Sequence, residues 1–209
     1  MTGEETYLAA MAYNSLFGPV LDKLEGKDGA AVQTLRTALQ TSDHEQPGFL
    51  LDLVRAILSK SELNVNLQEA FLRLQAQAPI DDLLIKNKRA GDPLFQELSQ
   101  RAVALRKILA RIPDEMADRR RFLETIKEIA SSIKKLLDAT NNLLQSVPDH
   151  LQPPIEQRKR EFVKYSKRFS NTLKEYFRGE EHVQVFVSAN QLIYQTSLII
   201  KTVRDKLDA

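Results

Sequence analysis

Hydrophobic residues recur at alternating steps of four and three along much of the chain, which is the spacing of an amphipathic helix. The longest run predicts one helix from Pro113 to Val147, because proline suits the first helical position and neither glycine nor proline follows before Pro148. Its apolar seam consists of Phe122, Ile126, Ile129, Ile133, Leu136, Thr140, Leu143 and Val147. At about 1.5 Å per residue this helix is roughly 50 Å long, so it must pack against partners of similar length.

Three further segments keep the same repeat. The first opens with Asp92 as its N-cap and Pro93 at its first position, the second follows a proline-rich loop at 148–154 and runs to about Phe177, and the third starts near Glu181. Their seams are Phe95, Leu98, Ala102, Leu105, Leu109 and Ile112; Ile155, Phe162, Ser166, Phe169, Leu173 and Tyr176; and Phe186, Ala189, Ile193, Thr196, Ile200, Val203 and Leu207. Because the connections are short, the four segments are predicted to form an up-down antiparallel four-helix bundle.

The N-terminal part carries shorter helical patterns. They predict helices from Glu5 to Glu25, with an end or a kink at Gly18-Pro19, and then from Asp28, from about Pro47 to Lys60 and from Asn66. So few residues bury little surface, yet their apolar faces are wider than one small core needs. These helices either cover one another or the long bundle, or they pair with a second chain. The face that would pair is centred on Leu35, Ala38, Ile57 and Leu58.

Alternating strand patterns bounded by turns do not appear, so the sequence predicts an all-α protein. We expect an N-terminal helical domain over residues 1–78, a hinge over 79–91 and the bundle over 92–209. The hinge is bounded by Pro79 and Gly91, and a short helix fits inside it.

A second apolar stripe lies beside the seam on two of the predicted bundle helices. It consists of Leu123, Ala130 and Leu137 on one helix and of Val163, Ser170 and Phe177 on the next. Four lysines flank the two stripes: Lys127, Lys134, Lys167 and Lys174. If the helices are adjacent, the stripes form a trough that suits an amphipathic helix bearing leucines and carboxylates. Alternatively, the extra apolar positions pack against neighbouring helices and the lysines are a solvated face.

Composition excludes several classes of protein. The 209 residues are 43% hydrophobic and 28% charged, as in ordinary soluble proteins, and include no cysteine, which excludes disulfides, cysteine-ligated zinc and a thiol nucleophile. No apolar run approaches the roughly 20 residues that span a bilayer, and the acidic start of the chain lacks a signal-peptide pattern, so we expect a cytosolic protein. The net charge is −3 over residues 1–90 and +5 over 91–209, which is too small and mixed for a nucleic-acid footprint.

Catalytic and metal-binding patterns are also missing from the sequence. His44, His150 and His182 are scattered, with no two at metal-ligand spacing, and solvation accounts for the paired carboxylates Asp81 and Asp82. No phosphate-binding glycine loop, metalloprotease, hydrolase or kinase motif is present. The sequence therefore predicts no cofactor, although a helical-bundle enzyme with a buried ionisable cluster remains an alternative.

Three stretches are long enough to be distinctive: IPDEMADRRRFLETIKEIASSIKKLLD, EFVKYSKRFSNTLKEYF and VFVSANQLIYQT. Together with AAVQTLRTAL, QPGFLLDLVRAIL and QRAVALRKILARIPDE upstream, they closely resemble the programmed cell death protein 10 family, also called the third cerebral cavernous malformation protein. The resemblance covers nearly the whole chain. It departs at the loop SVPDHLQPP, which is richer in proline than is usual in the family.

The resemblance implies a fold and a function. The fold is an N-terminal helical dimerisation domain followed by a bundle similar to the focal adhesion targeting domain, and the function is that of a non-catalytic adaptor. The N-terminal domain of the family forms homodimers, or heterodimers with the C-terminal tails of germinal centre kinases of the third subgroup. The matching positions here are Leu35, Ala38, Ile57 and Leu58.

The bundle of the family binds leucine- and aspartate-rich (LD) helical motifs such as those of paxillin. It also binds a related helix of the second cerebral cavernous malformation protein, and it engages striatin. The matching positions are Lys127, Ala130, Lys134, Lys167, Ser170 and Lys174. The family also implies a cytoplasmic location, with Golgi and membrane association through partners. The alternative is that the chain is a peripheral membrane protein, which binds anionic phosphoinositides through the basic face of the bundle.

Overall fold

The structure is a computed structural model that describes residues 5–85, 91–179 and 181–207, and these residues form helices and loops without any strand. The predicted all-α class is therefore confirmed. The α-helices, in chain order, are α1 (Thr6–Ala12), α2 (Gly18–Leu24), α3 (Gly29–Glu45), α4 (Phe49–Lys60), α5 (Leu67–Leu74), α6 (Pro93–Leu109), α7 (Ile112–Glu115), α8 (Arg119–Ser146), α9 (Gln152–Phe177) and α10 (Val183–Leu207). The chain forms two compact units, Met1–Pro79 and Ile80–Ala209.

In the first unit, α1 and α2 are joined by a π-helical turn, Tyr13–Phe17, rather than by a break. The predicted end or kink at Gly18-Pro19 is thus replaced by a local widening of the helix, in which the Gly18 N–H donates to the Tyr13 carbonyl. Pro19 lacks an N–H and its ring would crowd the carbonyl four residues earlier, so the wider turn accommodates the proline without ending the helix.

The helix start predicted near Asp28 and the N-cap predicted at Asn66 are confirmed, and Asp28 is itself an N-cap. The Asp28 carboxylate accepts from the Ala31 N–H at 3.0 Å, and the Asn66 side chain accepts from the Glu69 N–H at 3.2 Å. Large, fully buried side chains in the core of this unit include Leu8, Leu50, Leu51, Phe71 and Leu72. Helix α3 contributes almost nothing to this core, because it buries one residue among its 17.

In the second unit, α6, α8, α9 and α10 each contact two of the other three, as in a closed four-helix bundle. Every position of the seam predicted from Phe95 to Ile112 is buried, although Ile112 belongs to α7 and not to α6. The seams of α8, α9 and α10 are buried along most of their length, with Phe122, Phe162 and Phe169 among the largest enclosed side chains. The three-and-four repeat therefore identified the bundle core.

Two predicted helix starts differ from the structure. Pro113 lies in the short helix α7, and α8 begins six residues later because the Asp118 carboxylate accepts from the N–H groups of Arg120 and Arg121 at 2.9 and 3.1 Å. The other difference is at α9, which begins within the proline-rich loop predicted over residues 148–154, so that Pro153 and Pro154 lie in its first turn. A proline is tolerated there because the first N–H groups of a helix have no partner within it.

The hinge predicted over residues 79–91 is partly an ordered segment of the second unit. A 3₁₀ turn, Asp81–Leu83, contacts α6 and α10, and Leu83 is buried. The expectation that Asp82 is merely solvated is wrong, because its carboxylate accepts from Arg106 at 3.0 and 3.2 Å, and Arg106 is 3% exposed. Residues 86–90 of the hinge lie outside the described residues.

Candidate functional site

The surface between α8 and α9 holds a cavity of about 340 Å³ at the place where the second apolar stripes were predicted to meet. Its wall contains Ala130, Ile133, Leu137, Val163, Ser166, Lys167, Ser170, Asn171 and Lys174. Ala130 and Ser170 are exposed, whereas Ile133, Leu137, Val163 and Ser166 are half-buried. The small side chains leave room over the helices while the larger ones supply an apolar floor, so the cavity is a shallow trough between two antiparallel helices. We call it the α8–α9 trough.

The six residues to which peptide binding was assigned from sequence divide into two sets. Ala130, Lys167, Ser170 and Lys174 are part of the cavity wall. Lys127 and Lys134 are outside the wall, although both are exposed on α8 at three and four residues from Ala130, which places them along its border. The structure therefore brings four of the six together around one cavity and sets the other two beside it.

The four lysines are available for a ligand. Lys127, Lys134, Lys167 and Lys174 are exposed and make no hydrogen bond or ion pair with any described residue. By contrast, Arg160 of α9 is paired with Glu156, and Lys159 donates to Asn141 at 3.1 Å. Four cations beside an apolar floor are complementary in charge and polarity to a surface that combines carboxylates with leucine-like side chains.

A polar cluster connects α7 to the first turns of α8. The Arg111 guanidinium donates to Glu115 at 2.9 Å and to Glu128 at 2.7 Å, and the Thr125 hydroxyl donates to Glu115. Burial of Glu115 opposes its ionisation, but the hydrogen bonds from Thr125 and Arg111 outweigh that effect and hold the pKa of Glu115 below its usual range. The cluster therefore ties α7 to the N-terminal turns of α8.

The second candidate surface lies on α3 and α4, which contact each other. Leu35 is 48% exposed and Ile57 is 57% exposed, Ala38 is exposed, and Leu58 is half-buried. We call these four residues the pairing surface. Helix α3 contacts α2 and α4 but buries only Val32 among its 17 residues, so most of its apolar side is exposed in the single chain.

Polar contacts hold this surface in place from behind. Arg36 of α3 donates to the Tyr13 hydroxyl at 3.0 Å and to the Asp22 carboxylate at 2.8 Å, and these hydrogen bonds raise the pKa of Arg36. On α4, Arg55 forms ion pairs with Glu5 and Asp52. Arg36 and Arg55 thus connect α3 and α4 to Tyr13, Asp22 and Glu5, whereas the apolar side chains of Leu35 and Ile57 are exposed.

Sequence reasoning also missed two large cavities among the described residues of the second unit. One, of about 790 Å³, runs along α9 to Gln184 and has five basic residues in its wall: Lys159, Arg160, Lys164, Lys167 and Arg168. The other, of about 690 Å³, lies between α6 and the segment Ile80–Ile85 and is apolar apart from polar side chains such as Lys107 at its edge. The excess of basic residues on α9 was a sequence signal for the first, whereas the second depends on a long-range contact of the linker.

The described residues were also compared with the requirements of a metal site and of a membrane-spanning helix. In residues 5–85, 91–179 and 181–207, no three histidine, cysteine, aspartate or glutamate side chains come together as a metal ion requires. His44, His150 and His182 are all exposed. Within the same ranges, no helix combines the length and the hydropathy needed to cross a bilayer.

Comparison with known proteins gives two family models that match the chain. The model described as programmed cell death protein 10, dimerisation domain, matches residues 5–64, which include the whole pairing surface. The model described as programmed cell death protein 10, C-terminal, matches residues 65–163. The programmed cell death protein 10 homolog of Caenorhabditis elegans is 48% identical over 213 residues, which cover 99% of each chain. Lys167, Ser170 and Lys174 follow the second match but fall within the stretch that this relative covers.

Proposed function

Because the chain belongs to the programmed cell death protein 10 family, we propose that it is a non-catalytic adaptor that joins two partners through two separate surfaces. The pairing surface binds a second copy of the chain or the C-terminal tail of a germinal centre kinase of the third subgroup. The α8–α9 trough binds an acidic, leucine-rich helix. The adaptor thereby brings a kinase close to the proteins that carry such helices.

The α8–α9 trough carries the second half of this proposal. An amphipathic helix docks by placing apolar side chains from successive turns into a groove, and its flanking charges meet opposite charges on the rim. The trough is a cavity of about 340 Å³ with an apolar floor, and four lysines that form no ion pair with a described residue lie in its wall or along its border. It therefore fits helices with leucines on one face and aspartates or glutamates beside them. The proposed partners of this kind are paxillin-type LD motifs, the second cerebral cavernous malformation protein and striatin.

The pairing surface supports the first half. Its matched family model is named for dimerisation, and the exposed side chains of Leu35 and Ile57 provide the apolar area that a dimer interface buries. Homodimers and kinase heterodimers would use the same area, so the two assemblies exclude each other. Competition for one surface would then decide whether the trough is presented by a homodimer or beside a kinase.

The trough is tested by fluorescence anisotropy with a labelled acidic leucine-rich helical peptide. We expect saturable micromolar binding to the wild type, and loss of that binding in a Lys127→Glu, Lys167→Glu variant. The matched control is Lys107→Glu, Lys201→Glu, which changes the net charge equally but alters exposed lysines of α6 and α10. Equal weakening by both double variants would mean that long-range charge alone attracts the peptide. No binding by a folded wild type would contradict the proposed docking site.

The basic cavity along α9 favours a second candidate, which is binding to anionic lipid. Seven Lys and Arg residues stand against three Glu residues on this helix. Lipid binding would fall steeply with salt and would be insensitive to filling the trough, for example by Ala130→Gln with Ser170→Gln. Peptide docking would show the opposite dependence on these uncharged substitutions. Sedimentation with vesicles of anionic and of neutral lipid, compared with peptide anisotropy on the same variants, separates the two functions.

A further inference from the structure

Two large apolar side chains are unusually exposed at one end of the α8–α9 trough. Leu123 is 42% exposed and Phe177 is 39% exposed, and among the described residues of α6 to α10 they are the only large apolar side chains exposed to this degree. A single exposed leucine needs no explanation. Here, however, the ring of Phe177 on α9 contacts the ring of Phe122 on α8, the residue directly before Leu123, so the two exposed side chains lie near the same end of the helix pair.

Contacts among three aromatic rings hold the side chain of Phe177 in place. The Phe177 ring lies 5.9 Å from the Phe122 ring and 5.4 Å from the Tyr176 ring, measured between centroids. Phe122 is 1% exposed, so one side of Phe177 is held against the bundle core while its other side faces solvent. Leu123 follows Phe122 directly in α8. We call Leu123 and Phe177 the apolar step.

Cations surround the apolar step. The Arg119 guanidinium lies 5.9 Å from the centre of the Phe177 ring. Lys127 is four residues after Leu123, and Lys174 is three residues before Phe177, so both lie one helical turn from the step. None of these three cations forms an ion pair with a described residue. The step thus repeats the chemistry of the trough, which is an apolar centre with basic borders.

The step is also continuous with the trough. Leu123 is seven residues before Ala130 on the same face of α8, a separation of roughly 10 Å along the helix axis. Lys174 belongs both to the wall of the trough cavity and to the border of the step. From Leu123 to Leu137 the combined surface is roughly 21 Å long, which is the length of about 14 helical residues.

We infer that the apolar step is a second contact for the helix docked in the α8–α9 trough and that it selects helices of about four turns. Such a helix places one apolar side chain in the trough cavity and a further one, about two turns away, on Leu123 and Phe177. A carboxylate near the second apolar side chain meets Arg119. This inference rests on the proposed docking function and adds to it a requirement for length and for a second apolar anchor.

The test uses two labelled helical peptides of equal length and charge that differ at one position. One peptide carries leucine at both anchor positions, and in the other the leucine predicted to reach the step is replaced by serine. By anisotropy, the wild type should bind the two-leucine peptide about tenfold more tightly, because contact would bury most of the exposed part of Leu123 and Phe177. In Leu123→Ala this preference should largely disappear, while the affinity for the one-leucine peptide stays unchanged.

Controls keep the outcome specific. Phe177→Ala is a second variant, and circular dichroism shows whether the loss of its ring contacts disturbs the fold. Ile80→Ala removes an apolar side chain of similar exposure, 37%, from the linker and should leave the preference intact. If the wild type binds both peptides equally while Lys127→Glu, Lys167→Glu still prevents binding, the step is excluded and the docking function stands. If the folded wild type binds neither peptide, both proposals fail.

Discussion

The exposed fractions of Leu35 and Ile57 determine how much dimer affinity should be lost when the pairing surface is changed. Leu35→Asp with Ile57→Asp should convert a homodimer into a monomer without unfolding the first unit. The two side chains are 48% and 57% exposed in the single chain, so the monomer loses little buried area when they are replaced. We expect its free energy of unfolding to fall by no more than about 1 kcal/mol.

The dimer loses much more. Full burial of a leucine or isoleucine contributes about 1.5–3 kcal/mol, and roughly half of that remains to be gained by each of the two residues when the surfaces meet. In a symmetric dimer both residues are buried in both copies, so their removal costs about 4 kcal/mol, or about a thousandfold in the dissociation constant. An unpaired carboxylate in the interface adds to this cost.

Sedimentation velocity over a dilution series measures the dissociation constant, and circular dichroism checks the fold. The control is Leu123→Asp, a change of the same chemistry at a side chain that is 42% exposed on α8, which should leave the dimer intact while weakening helix docking. A double variant that stays folded and dimerises with the wild-type constant would refute the assignment of Leu35 and Ile57 to the interface.

Three further predictions concern the bundle. The pKa of Glu115 is lowered in the folded state, so its contribution to stability is present above its unfolded pKa and is lost as the pH falls through the folded pKa. The free energy of unfolding, measured with urea at a series of acidic pH values, should therefore depend less on pH in Glu115→Gln than in the wild type. Asp118→Ala removes the N-cap of α8 and should cost about 1 kcal/mol in urea unfolding, with Asp118→Asn restoring most of it. Phe162→Ala, at a fully buried ring, should cost about 3–5 kcal/mol in the same assay, whereas a cost below about 1 kcal/mol would mean that the core is misassigned.

Much of the fold could be predicted because helix burial is periodic. The spacing of Phe122, Ile129 and Leu136 places them on one side of any regular helix, and a side this apolar must be covered. The start of α8 was harder to predict, because Pro113 suits the first position of a helix and Asp118 suits an N-cap. Which of them begins the long helix depends on how α7 turns against α8. The π-helical turn before Gly18 and the ion pair between Asp82 and Arg106 likewise depend on contacts that no local pattern records.

In the candidate site, too, the periodic feature was predicted and the feature that depends on packing was not. The seven-residue spacing of Leu123, Ala130 and Leu137 predicted a second stripe, because that spacing returns nearly to the same side of a helix. Which lysines form the cavity wall depends on the rotation of each helix about its own axis, and that rotation is set by packing. Sequence therefore identified Lys127 and Lys167 as equivalent, whereas only Lys167 belongs to the wall of the cavity.

The most direct test of the adaptor proposal asks whether one molecule uses both surfaces at once. A fluorescent acidic leucine-rich helix is sedimented with the protein at concentrations at which the chain is dimeric, and the label is followed separately from the protein. The proposal predicts that the label sediments with the dimer, at one helix per chain, and that the dimer constant does not change. A label that sediments only with monomers, or that dissociates the dimer, would contradict the central claim that pairing and docking are independent.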